Sequence, residues 1–206
     1  MSKIKTLKNV DVKNKRVLVR VDFDVPMDDK LNIVDNSRIK GCLSTFEYLI
    51  KQKAKIILIS HTGRPNGKKD KKLSLKSIVG ELGKLLNKKI LFSSEIFGVK
   101  VKEKIKKMKF GDILLLENIR FWKQEEQNDQ EFAKKIAELG DIYINESFAV
   151  SHRKHASIVG IPQFLPSVAG FLLEKEIEEL DKILKKPMKP LVAIIGGAKI
   201  ETKIKV

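Results

Sequence analysis

The chain has 206 residues, 42% hydrophobic and 33% charged, which supplies enough apolar material for a packed core and rules out a disordered tail. Its 42 Lys and Arg against 26 Asp and Glu give a formal charge of +16 and call for an anionic partner: nucleic acid, an anionic membrane surface or phosphorylated metabolites. A single cysteine excludes a disulfide framework and a cysteine-built metal site, and the apolar runs are too short for a bilayer span or a secretory signal.

The first run, 16–21, lacks the polar alternation of a half-exposed strand, so a strand covered on both faces is expected. Arg20 inside it reads as one half of a structural ion pair. Asp22 and Asp24 follow. Across 36–53, Ile39, Leu43, Phe46 and Ile50 recur at four-three-four spacing and predict one helix, with Arg38 at its start and Cys42 on its apolar side. A strand at 55–60 leads into His61-Thr62-Gly63-Arg64-Pro65, where Arg64 either meets a ligand or decorates a turn. The lysines of 68–72 and 100–109 read as a solvated surface.

Strands are predicted again at 89–92 and at 112–116, the latter followed by Glu117-Asn118-Ile119-Arg120. The stripe Phe132, Ile136 and Leu139 predicts a helix over 128–139, with Asn128 and Glu131 as a capping-box-like start. A strand at 141–145 leads into Asn145-Glu146-Ser147-Phe148 and then His152-Arg153-Lys154-His155. After Gly170 comes a charged helical stretch, 174–186, ended by Pro187 and Pro190. A last strand, 191–195, precedes Gly196-Gly197-Ala198-Lys199, with Lys203 one helical turn beyond Lys199.

Strand and helix alternating in this way predict an α/β fold, a three-layer α/β/α Rossmann-like domain with a mainly parallel sheet. One strand and one turn cannot bury a core, so 190–206 is expected to begin a second, incomplete domain. The expected division is 1–170 for the first domain, 171–189 for an interdomain helix and 190–206 for the start of the second.

Ligands of parallel α/β sheets bind at the carboxyl ends of the strands. Arg38, Arg64, Arg120 and Arg153 all follow such ends, and so do all three histidines, His61, His152 and His155. That convergence predicts a pocket for a small, multiply charged anion. Glu117-Asn118 and Asn145-Glu146 fit helix caps equally well, and His155 fits a packed loop. No acidic residue follows a histidine at metal-ligand spacing, so no metal site is expected within this chain. Walker A and Gly-x-Gly-x-x-Gly patterns are absent. Gly196 and Gly197 would let backbone approach a phosphate and Lys199 and Lys203 share one helix face, although a glycine-bounded strand end with solvated lysines reads the same.

Taken together, several strings resemble the phosphoglycerate kinase family, in the family's order along the whole chain. They are Arg20-Val21-Asp22-Phe23-Asp24-Val25-Pro26, Asn36-Ser37-Arg38-Ile39, Ser60-His61-Thr62-Gly63-Arg64-Pro65, Leu116-Glu117-Asn118-Ile119-Arg120-Phe121, Asn145-Glu146-Ser147-Phe148, His152-Arg153-Lys154-His155-Ala156-Ser157, the run 169–176 and Gly196-Gly197-Ala198-Lys199. The resemblance implies a cytoplasmic glycolytic enzyme of two domains. It would move a phosphoryl group between 1,3-bisphosphoglycerate and ADP, giving 3-phosphoglycerate and ATP, with Mg2+ held by residues outside this chain. Asp22, Asp24, Arg38, His61, Arg64, Arg120 and Arg153 would line the phosphoglycerate site. Arg38 would reach the phosphoryl group in flight, and Gly196, Gly197, Lys199 and Lys203 the nucleotide phosphates, with Arg38 and Lys199 as the catalytic pair. The family usually has Asn at Asp24, Asp at Glu146, Gly at Ala149 and Asp at Thr202. The chain as it stands is expected to bind phosphoglycerate without turning over, and its segment 187–206 to be either disordered or docked, onto its own first domain or onto the same segment of a second copy although the family is monomeric. A non-catalytic anion-binding domain is the alternative. A nucleic-acid-binding domain would want aromatics interleaved with basic residues, and one Trp and two Tyr argue against it.

Overall fold

The apolar runs form a parallel sheet covered on both faces. The computed structural model describes residues 4–185 and 187–192. In chain order the elements are strand β1 (Arg16–Arg20), helices α1 (Ser37–Gly41) and α2 (Leu43–Lys51), strand β2 (Lys55–Ile59), helix α3 (Ile78–Leu86), strand β3 (Ile90–Ser93), helix α4 (Val99–Lys107), strand β4 (Ile113–Leu116), helices α5 (Lys123–Glu126) and α6 (Gln130–Ala137), strands β5 (Ile142–Asn145) and β6 (Ser167–Ala169), and helix α7 (Phe171–Lys185). The sheet runs β3-β4-β2-β1-β5-β6 with every neighbouring pair parallel.

Alternation along each strand fills two cores. Val17, Val19, Ile56, Leu58, Ile113 and Leu115 pack on one face with Phe46 and Leu49 of α2 and Ile78 and Leu82 of α3. Leu18, Ile57, Ile59, Leu114 and Leu116 pack on the other with Val101 and Ile105 of α4 and Phe132 and Ile136 of α6. This is the expected three-layer α/β/α arrangement, and its continuous apolar strands are what burial on both faces requires. The lysines of α4 lie on its exposed side, opposite the buried Val101 and Ile105.

Two local expectations change, one strand was not expected, and one expected strand lies mostly outside the described residues. The single helix over 36–53 is two helices meeting at Cys42, which is buried. The break adjoins Gly41, a weak helix former, where an added Cβ would lie 3.3 Å from Leu172 of α7. Helix α6 is capped by Asp129, whose carboxylate accepts from the Phe132 N–H at 2.7 Å, whereas Asn128 sits in the left-handed region at φ 53°. Strand β6 went unpredicted because three residues carry no measurable periodicity. The expected strand 191–195 lies mostly outside the described residues; Leu191 and Val192 are exposed and join no strand.

The amino-terminal segment closes the sheet beside β6. Thr6 bridges Ala169 in parallel, the Ala169 N–H donates to the Lys5 carbonyl at 2.9 Å, and Leu7 is fully buried. Among the described residues no helix is long and apolar enough to cross a membrane.

Candidate functional site

Strands β1, β2, β4 and β5 are the four central neighbours of the sheet, and the loops leaving their carboxyl ends are tied to one another. The Phe23 N–H donates to Ser60 Oγ at 2.9 Å, and Ser60 Oγ donates to the Val21 carbonyl at 3.0 Å. This joins the loop after β1 to the loop after β2. Asn118, after β4, donates from Nδ2 to the Thr62 and Leu73 carbonyls at 2.8 and 2.9 Å and accepts the Arg120 N–H on Oδ1 at 3.1 Å. It thus caps the short 3-10 turn Ile119–Phe121 that carries Arg120. Glu117 accepts from Ser74 Oγ and from the Leu75 and Asn118 N–H groups, which makes it a cap rather than a ligand group.

Two carboxylates sit among the cations. Asp22 pairs through Oδ2 with Arg38 Nη1. Asp24 accepts on Oδ1 from the Gly63 N–H at 2.8 Å and from Thr62 Oγ1 at 3.2 Å, and its Oδ2 lies 3.9 Å from His61 Nε2. Gly63 has φ 61°, and a Cβ there would come 2.7 Å from Leu73 Cδ2, so this turn requires glycine. Arg120 is buried and donates from Nη1 to the Gly63 carbonyl at 2.9 Å. Arg64 follows Gly63, is exposed, and has no hydrogen-bond or ion-pair partner among the described residues.

The most unusual feature is electrostatic. Arg120 Nε and Arg153 Nε are buried without a hydrogen-bond partner among the described residues. Burial, then the like charges of Arg153 and Arg20, push the Arg120 guanidinium below its ordinary pKa. Glu126 lies 3.6 Å from Arg120 Nε but is half exposed. A pair of crowded guanidiniums with buried donors not taken up by protein acceptors is an arrangement that favours a negatively charged neighbour.

The other histidines divide. His152 is exposed, and His155 is buried with Nδ1 3.7 Å from Glu125 Oε1, the packed-loop outcome. Arg20 is corrected: it is structural and fully buried, yet its partners are Ser157 Oγ, the Val21 carbonyl and His61 Nδ1 instead of a carboxylate. Glu125 behind it carries no sequence signal that sets it apart, and Ser157 stands only as the last residue of the family-like string that begins at His152. Next to Asp22 and Arg38 lies a cavity of about 320 Å³, lined also by Ser37, Glu146, Ser147 and Glu176. The sequence did not foresee it. Burial raises the Glu146 carboxyl pKa, and burial plus the Asp22 charge raise that of Glu176. Gly196, Gly197, Lys199 and Lys203 lie outside the described residues.

Burial, then Arg20, Arg120, Arg38 and His155, push the His61 imidazole pKa far below its ordinary 6.5. A base held neutral in the fold is protonated first in the unfolded chain, so its contribution is present above pH 6.5 and lost as pH falls. The expected slope from this one group is about 1.4 kcal/mol per pH unit, opposed by Glu146 and Glu176, whose raised values favour the fold as pH falls. Urea unfolding at several acidic pH values should show a shallower slope in His61→Asn; equal slopes would contradict the assignment.

The phosphoglycerate kinase family model matches residues 7–206. The chain is 50% identical over 202 residues to the phosphoglycerate kinase of Coprothermobacter proteolyticus, covering 98% of this chain and 51% of that one. It is 48% identical to that of Aquifex aeolicus, covering 100% and 52%. Solved phosphoglycerate kinase structures from Coxiella burnetii and Pyrococcus horikoshii match with TM-scores of 0.86 and 0.89 at 39% and 34% identity, each over 98% of this chain and 50% and 51% of theirs. The chain spans about half the length of the curated relatives it matches. On that extent of sequence and fold, this chain belongs to the phosphoglycerate kinase family.

Proposed function

We propose that this chain carries the acidic-substrate half of a phosphoglycerate kinase, which binds 3-phosphoglycerate and 1,3-bisphosphoglycerate at the carboxyl edge of the sheet. The observation that carries the reading is the pair of buried guanidinium nitrogens on Arg120 and Arg153 that have no partner among the described residues, with Arg120 donating to the carbonyl of Gly63, the residue before the exposed Arg64. Phosphoryl transfer needs positioning and cationic stabilisation of the equatorial oxygens more than an acid or base, and this edge supplies both. Arg38 is half exposed and Asp22 is the one hydrogen-bond partner of its guanidinium among the described residues, which leaves donors to follow the phosphoryl group. Asp22 and Asp24 supply acceptors for a substrate hydroxyl.

The domain division 1–170, 171–189 and 190–206 belongs to the same proposal, with α7 as the interdomain helix. So do the roles of Gly196, Gly197, Lys199 and Lys203 toward ADP or ATP. Among the described residues no group of three or more His, Cys, Asp or Glu side chains could hold a metal, so no step through Mg2+ is assigned to them. Turnover then needs a nucleotide-binding half in addition, since in-line transfer requires donor and acceptor held within contact distance.

Calorimetry with 3-phosphoglycerate tests the site. Arg153→Ala and Arg64→Ala are each expected to cost on the order of 1.5–3 kcal/mol of binding, the range for charge-assisted hydrogen bonds. Unchanged affinity in both variants would remove the assignment.

A further inference from the structure

Arg20 is buried behind the anion site, and its guanidinium is shared among three partners. Nη1 donates to the Val21 carbonyl, Nε to Ser157 Oγ at 2.9 Å, and Nη2 faces His61 Nδ1 at 3.1 Å. Ser157 is itself gripped by Glu125: Oγ donates to Oε1 at 2.5 Å and the backbone N–H to Oε2 at 2.8 Å. Tyr143 adds a hydrogen bond from its hydroxyl to the Ser157 carbonyl at 2.6 Å. Glu125 is fully buried; burial favours its neutral form, but His155, Arg20 and the Ser157 hydrogen bonds outweigh this and lower its pKa.

A guanidinium has five donors and no acceptor. His61 can meet Arg20 only with a lone pair on Nδ1, which leaves its proton on Nε2. We propose that Arg20, set in place by the Glu125–Ser157 pair, is a positioning residue that locks His61 as the neutral Nε2–H tautomer. His61 then offers the site one hydrogen-bond donor and no charge.

The surroundings favour this from each direction. His61 is faced by Arg20 from β1, Arg38 from α1, Arg120 from the turn after β4 and His155 from the loop after β5. Asp24 alone would favour an imidazolium, at 3.9 Å, and its other oxygen already accepts from Gly63 and Thr62. The acceptor that Nε2–H would meet is a carboxylate, either Asp24 or that of the acidic substrate. The substrate part rests on the function proposed above; the tautomer is a property of the ligand-free chain.

The test is a long-range proton–nitrogen NMR spectrum of the three histidine rings in the purified chain, with His61 assigned by its disappearance in His61→Asn. The expected pattern is a protonated Nε2 and an unprotonated Nδ1, unchanged between pH ~7.5 and pH ~5.5, the range in which an ordinary imidazole titrates. A protonated Nδ1 at neutral pH, in either tautomer or imidazolium form, would overturn the proposal. Ser157→Ala unseats Arg20 from Glu125 and is expected to mix the His61 tautomers while circular dichroism stays unchanged. A wild-type His61 pattern in that variant would remove Glu125 and Ser157 from the lock. In calorimetry Ser157→Ala should lose several-fold in 3-phosphoglycerate affinity, with a pH dependence the parent chain lacks. A loss equal at every pH would mark a merely structural role. If the parent shows the locked tautomer yet binds no 3-phosphoglycerate, the ligand reading fails and the lock stands.

Discussion

Glu125→Ala is expected to remove about 3–5 kcal/mol of folding stability, the range for stranding one member of a buried charge arrangement. Glu125 is fully buried and ionised, and with it go both hydrogen bonds that fix Ser157. Arg20 would stay buried, and the negative charge behind Ser157 would be gone. Glu125→Gln is the discriminating companion. Its amide keeps one acceptor but turns an NH2 group toward Ser157, so an intermediate loss is expected. Urea unfolding of the three proteins at neutral pH measures this. A loss below about 1 kcal/mol in Glu125→Ala would mean that water reaches the network and that burial is not what gives it strength.

Phe46→Ala is expected to cost about as much, ~3–5 kcal/mol, through a cavity in the core beneath α2. Phe46 is fully buried and meets Phe23 edge to face, with ring centroids 6.4 Å apart and planes at 78°. Phe23 stands between Asp22 and Asp24, so its ring anchors the loop that presents both carboxylates. The substitution should therefore weaken 3-phosphoglycerate binding under conditions where the variant remains folded, whereas Phe46→Leu should recover most of both losses. Thermal melts and calorimetry on the same samples separate the two effects. Lost stability with unchanged affinity would show that the Ser60 hydrogen bonds alone hold that loop.

The sheet was legible because burial on both faces leaves an unmistakable trace in a parallel strand: 16–21, 55–60 and 112–116 are apolar at consecutive positions. Helix α6 was legible from Phe132 and Ile136, but its cap was not, since Asn128 and Asp129 are both good capping residues and only geometry separates them. The break at Cys42 adjoins Gly41, where a larger residue would meet Leu172, about 130 positions later in the chain, a neighbour that local spacing does not record. In the site, the sequence located Arg38, His61, Arg120 and Arg153 on one edge, because strand ends are easy to enumerate. It could not tell which cations were spare. Arg20 looks like the others in a string of letters, yet each of its three nitrogens already has a partner, while Arg120 and Arg153 each keep a buried nitrogen unpartnered among the described residues. Glu125, and the role of Ser157 beside Arg20, were invisible for the same reason: their importance is a matter of what surrounds them.

The position of β1 between β2 and β5 has a consequence for the order in which the molecule is made. β1 pairs with β2 some forty residues on, but with β5 only after about 125, where Arg16 also meets Asp141 at 2.6 Å. A chain emerging from the ribosome can therefore assemble β3, β4, β2 and β1 while one edge of β1 stays bare. During that interval Arg20 has its strand but not its hydroxyl partner, since Ser157 is still to be synthesised. Non-local parallel pairing is slow and leaves edges exposed while it waits. Two residues made only after β5 also complete the proposed anion site: Arg153 for the anion and Ser157 for Arg20. Folding and the acquisition of binding should thus be completed in one late step, and a nascent chain released before Ser157 would hold a sheet with no use for its cations.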